Sequence, residues 1–403
     1  MRMLEGVRVI DVTMWAFCPA AGAVLAEWGA DVIHVENAKS PDPARLFFGQ
    51  GSLEPDGAHF IFKHYNRGKR GIALDLASEG GREALYDLVC EADVFLTSFL
   101  PKTRKKLGFD VDDLRRINPR LIYAKGTGAG PLGPESERGG YDSVSFWARS
   151  SLASSAMRFG ELTEPPAPAG HGDGISGLVF AGGIAAALYG RERSGEAAVV
   201  DSSLLGTAAW YNGPAIISSI KDPSAPFGAK VPRESTSWTQ LTYTTSDHRF
   251  IALTFLGDFQ DEFVDLCGLL DREDLLDDPR FATSEDRGAN STALSQILDE
   301  VFATKTFAEW KPILLKSKGV WGPVQNTDEM YFDPQVQANR MIRTFPDASG
   351  TQTFVMPPIM FNEDSGPGNR APDFGEHTDE ILRDVCGYDQ ARISTLRSVG
   401  DIA

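Results

Sequence analysis

The sequence predicts an α/β protein with a doubly wound, Rossmann-like large domain and a smaller α/β domain. One observation is a βαβ pattern near the start, in which β-branched Val7–Val12, helical Ala20–Trp28 and β-branched Ala30–Glu36 follow one another. A second is that strand-like and helical runs keep alternating as far as residue 203. Such alternation is typical of a parallel sheet, because parallel strands need a crossover that is usually a helix.

The other elements of the large domain are predicted from short apolar runs for strands and longer periodic runs for helices. The loop Gly126–Gly140 is too long and too rich in glycine for a simple connector, so it is a candidate binding loop. A second loop, Pro165–Gly174, leads into an apolar helix. The predicted strands are Gly71–Leu76, Asp93–Ser98, Leu121–Lys125 and Val199–Ser203, and the predicted helices are Glu79–Glu91, Val111–Ile117, Ile175–Tyr189 and Leu204–Ile220.

A second domain is indicated where the composition turns to Pro, Gly and Lys between Pro223 and Glu234. Beyond this linker, Ser246-Asp247-His248 separates two strand-like runs and predicts a hairpin. Near the end, Asp379–Cys386 predicts a short amphipathic helix that packs back on the first domain. We therefore expect a catalytic large domain at 1–222, a small α/β domain with its linkers at 223–330, and a C-terminal segment at 331–403.

Charge and composition exclude several classes of function. A net charge of −17 over 403 residues argues against binding a nucleic-acid backbone or an anionic membrane. The four cysteines form no CxxC pair and the six histidines no HExxH motif, so we expect neither a disulfide framework nor a metal site. The most apolar stretch, Ile175–Leu188, is shorter than a membrane span and no secretory leader is visible. These features predict a cytoplasmic, metal-free enzyme.

Two glycine-containing turns are weak candidates for a cofactor site. The first turn, Thr13–Pro19, lacks the GxGxxG fingerprint, and bulky Trp15 and Phe17 would keep a pyrophosphate from the backbone. Gly126-Thr127-Gly128-Ala129-Gly130 follows a strand and could offer amide groups to an anion, although the same glycines also suit a plain turn. Neither turn identifies a ligand by itself.

Asp173 is the strongest candidate for a catalytic group. It lies between Gly172 and Gly174 at the predicted start of an apolar helix, where an aspartate often acts as an N-cap. The glycines leave its carboxylate sterically open, and the helix dipole is expected to keep it ionised. An ionised, accessible carboxylate beside free amide groups suits a nucleophile with an oxyanion pocket.

Taken together, many short tags resemble the family III CoA-transferases, the group of the formyl-CoA and carnitine CoA-transferases with the α-methylacyl-CoA racemases as cousins. The resemblance extends over nearly the whole chain, and it rests on the order and spacing of these short segments. They include Leu4–Asp11, Trp28–Ile33, Asn66-Arg67-Gly68-Lys69-Arg70, Leu74-Asp75-Leu76, Asn118–Ile122, Gly140-Tyr141-Asp142, Gly172-Asp173, Gly183–Leu188, Arg191–Gly195, Asp278–Phe281, Asp333-Pro334-Gln335 and Gly375–Thr378.

The resemblance implies two ring-shaped subunits interlocked as a homodimer, with a coenzyme A thioester as substrate and no tightly bound cofactor. Asp173 matches the catalytic aspartate, which would carry the acyl group as an anhydride and then the CoA as a thioester. Amides near Gly172 and Gly174 are expected to stabilise the oxyanions. The expected coenzyme A contacts are Trp15, Ala16, Ala73, Asp75, Ser98, Phe99, Tyr141 and Asp142, with Arg45, Lys69, Arg70, Lys105, Lys106 and Arg138 as candidate phosphate partners.

Two alternatives stay open. The racemases carry a Gly-His-Asp segment where this chain has Gly140-Tyr141-Asp142, and tyrosine is a poor acid/base for proton exchange at neutral pH. His171, close to Asp173 in the sequence, keeps the racemase reading open. The chain could also be a non-catalytic CoA-binding homologue. Finally, Met14-Trp15-Ala16 stands where some members have His-Val-Gln, which favours a bulkier apolar or aromatic acyl group over oxalate.

Overall fold

A six-stranded parallel sheet forms the centre of the large part of the protein. The structure is a computed structural model and describes residues 2–46, 59–157, 170–224, 232–255, 260–347 and 350–403. Half of the predicted loop 165–174 and part of the predicted linker 223–234 lie outside these residues. The strands are β1 Arg8–Val12, β2 Asp31–Glu36, β3 Arg70–Ala73, β4 Val94–Thr97, β5 Ile122–Thr127, β6 Val199–Ser203, β7 Thr242–Thr244, β8 Phe250–Thr254, β9 Val320–Pro323, β10 Ile342–Asp347 and β11 Gly350–Val355.

The sheet has the order β3-β2-β1-β4-β5-β6, and every pairing within it is parallel. The predicted α/β class with a parallel sheet is therefore confirmed. Helices connect the strands. They are α1 Phe17–Glu27, α2 Phe60–Asn66, α3 Glu79–Cys90, α4 Pro101–Leu107, α5 Val111–Ile117, α6 Leu152–Ala156, α7 His171–Ser194, α8 Leu204–Tyr211, α9 Gly213–Lys221, α10 Gln260–Leu269, α11 Ser284–Ala289, α12 Ser291–Phe302, α13 Phe307–Leu314, α14 Glu329–Phe332, α15 Pro334–Ala338, α16 Thr378–Asp384 and α17 Gln390–Val399.

Both faces of the sheet are covered, which explains why most residues of its central strands are apolar. Neighbouring side chains on a strand point to opposite faces. Val9 and Leu96 belong to a buried cluster with residues of α1 and α7, whereas Ile10 and Phe95 belong to a second cluster with residues of α3 and α16. This is the doubly wound arrangement, in which a parallel sheet is buried between two layers of helices.

Helix α7 is longer than the sequence indicated. It runs for 24 residues, so the prediction of an apolar stretch too short to span a membrane is wrong: by length and composition this helix would suffice. It lies against α1, and a Cβ atom on Gly177 would come within 2.5 Å of Ala20 Cβ. Glycine thus allows the two helices to approach closely, as expected for a core helix.

The predicted helix Leu204–Ile220 is interrupted in the structure. Helix α8 ends at Tyr211, and α9 begins at Gly213 with a proline, Pro214, in its first turn. Proline is well accommodated in a first turn but lacks the N–H group that a continuous helix would use. The break follows from that missing donor.

The described residues divide into two compact units. The first contains residues up to 157, 170–224 and 334–403, and the second contains 232–333. In the second unit β7 and β8 form the hairpin predicted around Ser246-Asp247-His248, and β9 pairs with β8. In the first unit the C-terminal segment lies along β3, because Asp401 O accepts the Asp75 N–H and Leu74 pairs with Ile402.

Candidate active site

A cavity of about 350 Å³ opens at the carboxyl ends of β1, β4 and β5. The chain builds the sheet outward from β1 through β2 to β3, then returns to place β4 on the other side of β1. Ligands of open α/β sheets bind where the strand order reverses in this way, outside the carboxyl ends. The cavity is lined by Met14, Trp15, Phe17, Cys18, Ser98, Phe99, Leu100, Thr103, Gly126, Thr127, Gly128, Gly139, Gly140, Tyr141, Asp173 and Leu204.

Asp173 reaches this cavity from the first turn of α7. The helix begins at His171 after Gly170, whose φ of 68° is left-handed, so Asp173 lies inside the first turn rather than at the N-cap. Burial, and secondly the negative charge of Asp142, raise the pKa of Asp173 to about 7. The expectation that the helix dipole keeps this carboxylate ionised is corrected, because loss of solvation outweighs the dipole. A carboxylate with this pKa is more basic than an ordinary aspartate.

Asp142 is the second carboxylate of the site. It opens a short π-helical segment, Asp142–Ala148, and its Oδ1 accepts the Gly172 N–H at 3.0 Å. Burial raises its pKa as well, against the opposing effect of that hydrogen bond. A Cβ atom on Gly172 would lie 2.1 Å from Phe146 Cγ and 2.6 Å from Asp142 Oδ1, so only glycine fits against these two side chains. The predicted Gly-Asp-Gly entrance thus has a steric basis.

The two flanking amides do not form an open oxyanion pocket. The Gly172 N–H is held by Asp142, and the Gly174 N–H donates to Gly170 O at 3.2 Å inside the helix. Our expectation that Gly172 and Gly174 supply free donors is therefore wrong for this state of the protein. The reason is that the helix starts at His171, earlier than predicted, which draws the Gly174 amide into its first turn.

Tyr65 is a site residue that the sequence reasoning missed. Its hydroxyl donates to Gly170 O at 3.4 Å, and a Cβ atom on Gly174 would lie 3.2 Å from its Oη. Burial first, and then the charges of Asp173 and Asp142, raise the pKa of Tyr65, so the phenol stays protonated. Tyr65 directly precedes the segment Asn66–Arg70, which resembles the family III CoA-transferases. That position was the one signal in the sequence that could have identified it.

The first turn after β1 forms one wall of the cavity. The Met14 N–H donates to Ser98 Oγ at 3.0 Å, and the Trp15 N–H donates to Asp42 Oδ1 at 3.1 Å. The Trp15 ring meets the Tyr141 ring edge to face, with centroids 5.7 Å apart. Ala16, next in the chain, is buried at the start of α1.

His171 lies beside this region but packs on aromatic rings. Its imidazole meets Phe146 and Trp147 edge to face, at centroid distances of 6.0 and 5.8 Å. Among the residues that the structure describes, no group of three or more His, Cys, Asp or Glu side chains is arranged to hold a metal ion.

Three of the predicted phosphate partners are paired with carboxylates of the protein. Arg45 pairs with Glu36, Lys69 pairs with Asp11 in full burial, and Arg70 pairs with Asp31 and Glu380. Arg45 and Lys69 are held away from solvent by these contacts, which corrects their assignment as coenzyme A ligands. Sequence reasoning identified the cations but could not see their acidic partners.

The remaining predicted contacts fall into two groups. Trp15, Ser98, Phe99 and Tyr141 line the cavity with Asp173, and exposed Arg138 adjoins its glycine wall. Exposed Lys105 and Lys106 lie on α4, whose Thr103 also lines the cavity. Ala73 and Asp75 lie at the carboxyl end of β3, outside this lining, and Asp75 pairs with Lys39.

Known proteins share this architecture and are related in sequence along nearly the whole chain. The family described as CoA-transferase family III matches residues 4–378 of the chain. The chain is 30% identical over 399 residues to a (R)-2-hydroxy-4-methylpentanoate CoA-transferase of Clostridioides difficile, covering 98% of each chain. It is 27% identical over 403 residues to a human succinyl-CoA:glutarate CoA-transferase, covering 98% of this chain and 89% of the other. A crystal structure of a CAIB/BAIF family protein from Brucella suis superposes with a TM-score of 0.81 at 28% identity, covering 95% and 99%.

Proposed function

The chain belongs to CoA-transferase family III, and we propose that Asp173 is the residue that carries first the acyl group and then the CoA between two carboxylic acids. The observation that carries this proposal is a half-buried aspartate of raised pKa at the cavity where the strand order reverses. Relatives transfer CoA between acids as different as a branched hydroxy acid and glutarate. The general reaction is therefore common to them, while the acid is not.

The proposed reaction has four balanced steps. An Asp173 oxygen attacks the thioester carbon of the donor, the C–S bond breaks, and CoA leaves as a thiolate with an anhydride on Asp173. The thiolate then attacks the aspartyl carbonyl, which frees the donor acid and leaves an aspartyl-CoA thioester. The acceptor carboxylate attacks that thioester, again releasing the thiolate and forming an anhydride. Attack of the thiolate on the acceptor carbonyl regenerates Asp173.

Several groups of the chain support these steps. The raised pKa of Asp173 makes its ionised form a better nucleophile than an ordinary carboxylate. The protonated Tyr65 hydroxyl is a neutral hydrogen-bond donor beside the same turn. Apolar side chains around the cavity limit the access of water, which would hydrolyse the covalent intermediates. Arg138, Lys105 and Lys106 remain as candidate partners for the phosphates of CoA outside the cavity.

Intact-protein mass spectrometry tests the covalent role of Asp173. Wild type and Asp173→Ala are incubated with succinyl-CoA, acetyl-CoA and an aromatic acyl-CoA, and the adducts are trapped with hydroxylamine. We expect a hydroxylamine-sensitive adduct that maps to Asp173 and is absent from the variant. An adduct that persists in Asp173→Ala, or acyl-CoA binding without an adduct from any donor, contradicts the proposal.

The alternatives have distinct signatures. A racemase would exchange the α hydrogen of a 2-methylacyl-CoA for deuterium without any acceptor acid. Tyr141 in the place of the racemase histidine, and the packing of His171 on Phe146 and Trp147, disfavour that reaction. A non-catalytic homologue would bind CoA and show neither exchange nor transfer.

The ionisation of Asp173, whose pKa is raised by burial and secondly by the charge of Asp142, is expected to set the pH dependence of the reaction. Asp173 must be ionised to attack, so kcat/KM should fall as the pH drops below about 7. Asp142→Asn keeps an oxygen acceptor for the Gly172 N–H but removes the negative charge that, after burial, is the second cause of the raised pKa of Asp173. We expect the acid limb to move down by about one pH unit, with no shift in the control Asp112→Asn, which removes an exposed charge on α5. An unchanged limb in Asp142→Asn contradicts this coupling.

We propose that the protein acts as a homodimer. Large apolar side chains on α7, α8 and α9 are exposed in the single chain, with Trp210 87% and Ile220 76% accessible. Exposed apolar groups of this size mark interaction surfaces in soluble proteins. Sedimentation equilibrium should give twice the chain mass, and the double variant Trp210→Ser, Ile220→Ser should weaken the dimer. A wild-type monomer at micromolar concentration would contradict the proposed homodimer. The cytoplasmic location of the protein stays a prediction.

A further inference from the structure

The cavity beside Asp173 lacks a cationic lining in the part of the chain that the structure describes. No Lys, Arg or His is among its lining residues, which include the apolar groups Trp15, Phe99, Leu100 and Leu204. A carboxylate moved from water into such surroundings loses its solvation without gaining a counter-charge. An acid with a second carboxylate would therefore bind poorly here, whereas an apolar body would fit.

Trp15 is held in the wall by its backbone. Its φ of 71° is left-handed, which is rare for a bulky residue. The Trp15 N–H donates to Asp42 Oδ1, which also accepts the Ala44 N–H at 2.9 Å. Asp42 is 4% exposed, so this acceptor is shielded from competing water. The carboxylate thus fixes the turn that presents the indole ring to Tyr141.

The position of Asp42 is fixed in turn by a buried ion pair. The Asp42 N–H donates to Glu36 Oε2 at 2.9 Å, and Arg45 binds Glu36 with two nitrogen atoms. Arg45 also donates to Pro372 O at 3.0 Å. A continuous set of contacts therefore leads from Arg45 through Glu36 and Asp42 to Trp15, and it gives Arg45 a structural use.

We infer that the acid handled at Asp173 is a monocarboxylate with an apolar aryl or branched body, and that Trp15, positioned by Asp42, sets this preference. The inference rests on the proposed function, since the acid must reach the side-chain carbonyl carbon of the aspartyl-CoA thioester at Asp173. The indole and the Tyr141 ring contact the body of the acid, while its single carboxylate faces Asp173. A dicarboxylate of the same length leaves its distal charge against these rings.

The rate at which different acids remove CoA from the covalent intermediate distinguishes the preference for apolar acids from the covalent role of Asp173. The aspartyl-CoA thioester is formed on wild-type enzyme with whichever donor gives it, and its loss is followed by mass spectrometry with 3-phenylpropanoate, 4-methylpentanoate, succinate or glutarate. We expect the two apolar acids to discharge it at least about tenfold faster per molar acid than the dicarboxylates. Equal or faster discharge by a dicarboxylate overturns the inference and leaves the role of Asp173 intact. Failure to form any intermediate overturns both.

Variants test the positioning role of Asp42. Trp15→Gly suits the left-handed backbone and removes the indole, so the preference for apolar acids should fall at least about tenfold. Asp42→Ala should lower it in the same direction, and Asp42→Asn should restore it because the amide oxygen can still accept the Trp15 N–H. A loss of rate that is equal for apolar and dicarboxylic acids in Trp15→Gly, or no difference between Asp42→Ala and Asp42→Asn, overturns the assignment.

Discussion

Replacement of Asp173 by asparagine is expected to lower kcat for CoA transfer by at least about 10⁴-fold. The amide has nearly the shape of the carboxylate but cannot attack a thioester, and both covalent intermediates of the proposed reaction depend on that attack. Steady-state formation of the new acyl-CoA measures the effect. Affinity for acyl-CoA, measured by calorimetry, should change only a few-fold, because the cavity keeps its shape. A variant that retains a tenth of the wild-type kcat would rule out Asp173 as nucleophile.

The same variant should be more stable than the wild type at alkaline pH. Burial raises the pKa of Asp173 from an ordinary value of 3.8 to about 7 in the folded protein, so ionisation there opposes folding. This cost is absent below about pH 4, grows between the two pKa values and is complete above pH 7. A rise of about three pKa units corresponds to about 4 kcal/mol. Because Asp173 is only half-buried, solvent screening reduces this, and we expect Asp173→Asn to gain on the order of 2 kcal/mol at about pH 8 and nothing near pH 4. Urea unfolding at both pH values checks this and excludes misfolding as the cause of inactivity.

The largest effect on stability is expected from Lys69→Met. Lys69 Nζ lies 2.6 Å from Asp11 Oδ2 and 2.8 Å from Asn66 Oδ1, and both charged side chains are fully buried. Methionine leaves the Asp11 carboxylate buried without its main counter-charge, which costs about 3–5 kcal/mol in such pairs. The control is Arg116→Met, which breaks an exposed ion pair with Asp113 and should cost less than about 1 kcal/mol. Similar losses for both variants would contradict the argument.

The buried pair should also contribute to acid sensitivity. Burial alone would raise the pKa of Asp11, but the charges of Lys69 and His34 outweigh it and lower the pKa to about 2. A depressed pKa stabilises the fold above the ordinary value near 4, and that contribution is lost as the pH falls towards 2. The stability gap between wild type and Lys69→Met is therefore expected to narrow over that interval.

The sequence predicted the parts of the fold that depend on local pattern. β1, α1 and β2 were predicted because a β-branched run, a helical run and a second β-branched run follow one another, and Asp173 because glycines flank it at a helix start. The β10–β11 hairpin was not predicted. Pro346 lies within β10, and proline within a run normally argues against a strand because it cannot donate to the ladder.

What the sequence could not show was pairing between distant residues. Arg45 and Lys69 were assigned to phosphates because the sequence does not show which carboxylate pairs with a cationic side chain. Glu36 and Asp11 meet them only in the folded chain. The raised pKa of Asp173 depends on its burial in the folded site and secondly on Asp142, which is 31 positions earlier in the numbering yet accepts the Gly172 N–H. Tyr65 was overlooked for the same reason, since it meets Gly170 only across the folded site.

The pairing of Leu74 with Ile402 has a consequence for how the protein is made. β3 forms one edge of the large sheet, and the groups that cover its end come from the far end of the described chain. During translation β1, β2 and β3 leave the ribosome long before Asp401 and Ile402 exist. The nascent sheet must pass that interval with an uncovered edge, which is the condition under which strands pair with the wrong neighbour. Shortening of the C-terminal segment should therefore increase the dependence on chaperones during synthesis before it lowers the equilibrium stability.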